Sequence, residues 1–93
     1  MMKSPRETTI YTLLQNSFHP SVCELIDESA QHAGHAGAAS GGGHYRLHII
    51  SSLFEGQNRI NRHRLVYDCL RDLMRSEIHA LAITALAPSE ANE

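Results

Sequence analysis

The chain has 93 residues, 42% of them hydrophobic, 19% charged and 5% aromatic, with no tryptophan; that suits one domain with a modest core, since single cores take about 100 to 150 residues, and excludes a second independent domain, a disordered chain and a disulfide scaffold. Eight Lys and Arg against ten Asp and Glu leave a formal net charge of −2, so no overall basic field draws the chain to nucleic acid or an anionic membrane, and any such contact must be local.

Ser4-Pro5-Arg6-Glu7 reads as a capping box with proline at the first helical position. Ile10, Leu13, Leu14 and Phe18 follow at helical spacing until His19-Pro20 stops the run, which predicts a helix over residues 5 to 17. Residues 22 to 28, Val-Cys-Glu-Leu-Ile-Asp-Glu, are short, apolar and partly β-branched, and read as a strand. Residues 29 to 43 hold five of the six glycines, His32 and His35, and no large apolar side chain, so they predict a mobile loop of a length that is usually functional or disordered. Tyr45 to Ser51 alternates, with Tyr45, Leu47 and Ile49 on one face and Arg46 and His48 on the other, as a half-buried strand does.

Leu53 to Asn58 predicts a turn with an apolar anchor, and Val66, Leu70 and Leu73, joined by Cys69 and Met74, form the stripe of a second helix over residues 61 to 75. On its charged face Asp68 can meet Arg64 or Arg71. Ile78 to Leu86 predicts a last strand before a polar tail at residues 89 to 93. The order is αββαβ in one domain with its core over residues 5 to 88. The first two strands can pair antiparallel and the crossover favours parallel pairing of the second and third, giving an α+β two-layer sandwich whose helices cover one face of a three-stranded mixed sheet.

Histidine is the compositional oddity, with seven in the chain. His32 and His35, at i and i+3 among small residues, are either exposed loop histidines or two ligands of a metal site that needs more. His79 shares the predicted face of Leu81 and Ile83 and reads as partly buried and bonded to a backbone carbonyl; His44 and His48 read as surface or edge residues. Arg59, Arg62, His63 and Arg64 make a local basic cluster at the start of the second helix, either a solvated face or a phosphate contact. There is no GxSxG, HExxH or phosphate loop, so no enzyme is expected. Cys23 and Cys69 form no CxxC or Cys-His pattern and read as small buried hydrophobes. With no secretory h-region and no apolar run near the roughly 20 residues that span a bilayer, a soluble protein of the cytoplasm, without membrane contact, is expected.

Phe54-Glu55-Gly56, Asn61-Arg62-His63-Arg64-Leu65-Val66-Tyr67 and Ile78-His79-Ala80-Leu81, together with Asp27-Glu28-Ser29 and His44-Tyr45-Arg46, resemble the BolA family over nearly the whole chain. The resemblance implies a fold similar to a class II KH domain. It also implies a heterodimer with a monothiol CGFS-type glutaredoxin sharing a 2Fe-2S cluster, with the glutaredoxin cysteine and glutathione completing the ligands and no cofactor when the protein is alone. By that match His79 is the C-terminal ligand and His32 the loop ligand; Ala30-Gln31 stand where the family often has a histidine, and His35 is the alternative. Histidine ligation of such a cluster has a precedent in Rieske centres, and acidification towards the unperturbed imidazole pKa near 6.5 should weaken it. The same resemblance implies a second role, a DNA-binding transcriptional regulator of morphology and stress genes acting through the Arg59 to Arg64 cluster, although no GxxG loop like that of nucleic-acid-binding KH domains occurs between the predicted helices. A weak homodimer is a further expectation.

Overall fold

A computed structural model describes residues 4–29 and 42–91. Helix α1, Pro5–Phe18, starts as the sequence predicts: Ser4 Oγ accepts the Glu7 N–H at 3.1 Å while Glu7 Oε1 accepts the Ser4 N–H at 3.0 Å. It stops where His19 turns left-handed (φ 44°) ahead of Pro20. Strand β1 is Val22–Asp27 and β2 is Gly43–Ile50, so β2 begins before Tyr45 because Gly43 already pairs with the third strand. A 3₁₀ turn, Ser52–Phe54, leads to α2, Arg59–Cys69, and α3, Arg71–Met74. Strand β3 is Ile78–Leu86, and α4 is a single turn, Pro88–Ala91.

The helices also differ from expectation, the second starting at Arg59 and not at residue 61. The predicted second helix is two, divided at Leu70 (φ −102°, ψ 15°), and the apolar stripe runs through the break with Val66, Leu70 and Leu73 all buried, which is why periodicity alone does not reveal it. Residues 89 to 91, the described part of the expected polar tail, lie in α4, which Glu90 ties to the body of the domain. Asp68 pairs with Arg71 at 3.3 Å, and among the described residues no Arg64 pair forms.

The sheet order is β1-β2-β3, antiparallel between β1 and β2 and parallel between β2 and β3. Leu25, Tyr45, Leu47, Ile49, Leu81 and Ala85 turn to one face and bury against Ile10, Leu14 and Phe18 of α1 and Val66, Leu70 and Leu73 of α2 and α3. Phe54 is the expected anchor of the 3₁₀ turn, fully buried with its ring 5.2 Å from that of Phe18. Ser51 ties the same corner, its hydroxyl donating to the Phe18 carbonyl at 2.7 Å and accepting the Leu53 N–H at 3.2 Å. The opposite face, with Glu24, Ile26, Arg46, Ala80, Ala82 and Thr84 exposed, is open.

Both sheet edges are capped by polar side chains of the helices. The Leu25 N–H at the outer edge of β1 donates to the Tyr11 hydroxyl at 2.9 Å. Along the outer edge of β3, the Tyr67 hydroxyl donates to the Leu81 carbonyl and Arg62 Nη1 to the Ala85 carbonyl, each at 3.1 Å. Unpaired edge groups template pairing with other chains, and such caps blunt them.

Candidate functional site: a histidine pair at a bulge and a buried arginine

Gly43 pairs with Ile78 but His44 pairs with Ala80, so His79 is the extra residue of a bulge. A bulge re-aims the side chain it carries. The alternating pattern would put His79 beside Leu81, half-buried; the bulge turns it into solvent instead, while Ile78 and Leu81 on either side are buried. His44 departs from expectation in the other direction. It is 8% exposed, and its ring centroid lies 5.0 Å from that of His79, tilted by 43°.

Both chain ends that flank residues 30–41 are fixed at this pair. Asp27 Oδ1 accepts the Ser29 N–H at 2.8 Å, Ser29 Oγ accepts the His44 N–H at 3.0 Å, and the His44 carbonyl accepts the Glu28 N–H at 2.7 Å. On the return side Gly42 lies so close to His79 that a Cβ there would stand 2.8 Å from the His79 Cβ. The neighbouring cleft, of about 300 Å³, is lined by Glu28, His44, Tyr45, Ala80, Leu81 and Ala82, with Arg46 Nε bonded to Glu28 at 3.0 Å at its side. Burial pushes the Tyr45 phenol up, against the opposing pull of Arg6.

His32 and His35 lie outside the described residues. Among the described residues no three His, Cys, Asp or Glu side chains gather as a metal site would need, so the His44–His79 pair supplies at most part of a donor set. An exposed imidazole backed by a buried one suits that part, since a soft or borderline metal centre accepts neutral imidazole. Sequence reasoning missed His44 because its neighbourhood depends on the bulge in a strand far along the chain.

The basic cluster is divided by the fold. Arg59 and Arg64 are exposed and His63 is half-buried on α2, whose Asn58 cap accepts the Asn61 N–H at 2.8 Å. Arg62 instead is 9% exposed. Its Nε donates to the Gln57 carbonyl at 2.7 Å, Nη1 to the Ala85 carbonyl, and both terminal nitrogens to the Glu90 carboxylate. That bonding, with the Ala87 N–H added, pulls the Glu90 carboxyl down to about 2, and Glu90 in turn raises Arg62. Both cysteines are free and half-buried; burial pushes the Cys23 thiol up, and Cys69 Sγ sits 3.4 Å from the Leu13 carbonyl and 3.3 Å from Ser17 Oγ. Both fit the expected packing role. No helix among the described residues is long and apolar enough to cross a membrane.

The molecule is thus a small α+β domain with an open three-stranded mixed sheet and an exposed histidine at its parallel edge. The family model described as BolA-like protein matches residues 14–90, and the chain belongs to that family. It is similar to BolA-like protein 1 of Mus musculus, 39% identical over 89 residues that cover 96% of this chain and 63% of the mouse protein. The DNA-binding transcriptional regulator BolA of Escherichia coli (strain K12) is 36% identical over 70 residues, 75% of this chain and 64% of that protein. The chain therefore spans less than two thirds of the length of either curated relative. Among solved structures, the BolA domain of SufE1 from Arabidopsis thaliana superposes with a TM-score of 0.86 at 39% identity, covering 97% of this chain and all of that one.

Proposed function

We propose that this chain is a non-enzymatic adaptor of the cytoplasm that pairs with a monothiol glutaredoxin and shares a 2Fe-2S cluster with it, in cluster assembly, trafficking or iron sensing. The observation that carries this reading is the bulge: it holds His79 in solvent beside His44, at the place where both flanks of the histidine-bearing residues 30–41 are tied. Three peptide units separate Ser29 from His32, a span of at most about 11 Å, and His32 is the loop ligand of this reading. His35 stands six units from Ser29 and seven from Gly42 and serves as the alternative ligand. When bound, the cluster supplies one-electron chemistry whose potential imidazole ligands raise. This chain's part is to hold neutral imidazoles towards the partner. His79 is the principal ligand, one loop histidine the second, and His44 packs on the His79 ring and limits its orientations.

The test is anaerobic cluster reconstitution with a monothiol glutaredoxin and glutathione, read by visible absorption and circular dichroism for wild type, His32→Ala, His35→Ala, His44→Ala and His79→Ala. A mixed-complex spectrum distinct from that of glutaredoxin alone, lost in His79→Ala and in one loop variant, is the expected result. A spectrum that never departs from glutaredoxin alone refutes cluster sharing. Acidification from pH 8 to 5.5 should bleach the mixed complex as imidazole protonates.

A second reading, DNA binding, draws on the Escherichia coli relative, a DNA-binding transcriptional regulator, and on Arg59, His63 and Arg64 along α2. Arg62, saturated by its own fold, contributes there by shaping α2 and not by touching phosphate. Salt-sensitive DNA binding that falls in Arg59→Ala and Arg64→Ala, with cluster behaviour intact, would favour this reading.

A further inference from the structure

Apart from the histidine pair, the most heavily built polar feature is the Arg62 corner, and neither function proposed above has its guanidinium bind a ligand. Besides Glu90, two backbone carbonyls hold its guanidinium on one side, those of Gln57 in the turn before α2 and of Ala85 on β3. What remains is a rigid fork of terminal N–H groups, whose geometry matches a carboxylate at two points. A carboxylate sits there, but it comes from α4, a turn of four residues, far below the length at which a helix holds itself together. Among the described residues its other ties are the Ala87 N–H to Glu90 itself, the Glu90 and Ala91 N–H groups to the Ala87 carbonyl at 3.0 and 3.2 Å, and the exposed Ser89 contacts to Glu55, the Oγ–Oε1 distance being 3.0 Å.

Beside the fork lies a cavity of about 400 Å³, more than one carboxyl group fills, with Arg59 and His63 on its rim and Ile83, Ala85 and Leu86 as an apolar wall. Its wall is also a sheet edge. The carbonyls of Leu81 and Ala85 point away from β2, where Tyr67 and Arg62 reach them. Ile83, midway between, shares their orientation, and among the described residues its outward N–H and C=O have no partner.

We propose that this cavity is a docking site for an acidic peptide segment of another protein, with Glu90 as its resident competitor. The partner's carboxylate takes the Arg62 fork, its backbone bonds Ile83 over a short stretch between the Tyr67 and Arg62 caps, and its apolar side chains meet Ala85 and Leu86. Edge-strand backbone gives such a site affinity and the charged pocket gives it selectivity. A peptide fits better than a nucleic acid. Glu55, close enough to act on Arg62, stays when Glu90 leaves and opposes a polyanion, and a lone fork with an apolar wall suits one planar carboxylate. The proposal stands independently of cluster sharing.

The test uses the full chain, as wild type and Glu90→Gln, titrated by fluorescence anisotropy with a labelled, C-terminally amidated peptide of its own residues 86–93, Leu-Ala-Pro-Ser-Glu-Ala-Asn-Glu. The control is the same peptide with glutamine at the Glu90 position. A tethered competitor acts at an effective concentration in the millimolar range, so freeing the fork should tighten binding at least ten-fold, with no gain for the control peptide and with amide shifts centred on Ile83. Equal binding to wild type and variant, with the variant folded, overturns the proposal, as does a gain seen with a DNA oligonucleotide and not with the peptide. If Glu90→Gln loses its fold, Ser89→Ala loosens α4 without touching Arg62; a two- to three-fold gain is then expected, and no gain overturns the proposal equally.

Discussion

Replacing Gly42 by alanine tests the link between the loop flank and the candidate ligand. The added methyl would stand 2.8 Å from the His79 Cβ, 3.3 Å from its amide nitrogen and 3.4 Å from its Cα, where carbon atoms prefer about 3.5 to 4.0 Å. All three neighbours belong to the backbone or its first carbon, so no flexible tip can swing aside. Gly43 N–H bonded to the Glu77 carbonyl at 3.0 Å prevents the chain from sliding away. Overpacking of this kind costs about 1 to 3 kcal/mol, and at about 4 to 8 °C per kcal/mol for a domain of this size Tm should fall by about 5 to 20 °C. The assay is urea and thermal denaturation of wild type, Gly42→Ala, His79→Gly and the double variant. Because His79→Gly removes the nearest atom, the double-variant cycle should return at least half of the loss, and the amide shifts of Gly42→Ala should centre on residues 78 to 80. A loss under about 0.5 kcal/mol, or one independent of residue 79, refutes the claim that Gly42 packs the returning chain onto His79.

Glu90 makes a pH prediction. Its carboxyl is held at about 2 against the ordinary value near 4.5, so its stabilising contribution is complete above the unfolded value and is lost as pH falls through the folded one. The difference in urea midpoint between wild type and Glu90→Gln should be constant from pH 7 to 5.5 and shrink steadily as pH falls from about 4.5 to 2; a difference undiminished at pH 2 refutes the pairing. Tyr67→Phe leaves the Leu81 carbonyl uncapped and should cost about 0.5 to 1.5 kcal/mol while raising self-association on sedimentation; a variant as stable and as monomeric as wild type would remove the edge-capping role. Phe54→Ala empties a site with no exposed surface and should cost about 3 to 5 kcal/mol by urea denaturation, and a loss under 1 kcal/mol would place the core elsewhere. Cys23, whose thiol is pushed up by burial, should alkylate with iodoacetamide at pH 8 more slowly than a free cysteine, and an equal rate would refute its packing role.

Much of this molecule is local and therefore readable in one dimension. The capping box at Ser4 to Glu7, the stop at His19-Pro20 and the alternation of Tyr45, Leu47 and Ile49 each depend on residues within a few positions, and each stands in the structure as expected. The sheet's mixed pairing follows from the same order, since a helical crossover between β2 and β3 favours parallel strands. The motif-bearing residues, from Phe54 to Gly56, Asn61 to Tyr67 and Ile78 to Leu81, were sufficient to indicate the family.

Only the tertiary structure decided the chemistry around those motifs. His79 faces solvent because a register shift opposite Gly43 and His44 inserts one residue, and no local pattern records which residue of a strand will be left unpaired. His44 is buried and Arg62 is withdrawn from the basic cluster because their neighbours, His79 for the first and Gln57, Ala85 and Glu90 for the second, include residues 23 to 35 positions away. Alternation and charge runs assign a side chain to a face of its own element. Whether that face meets solvent, a carbonyl or a carboxylate depends on which distant segment packs against it, and that is set by the folded chain as a whole.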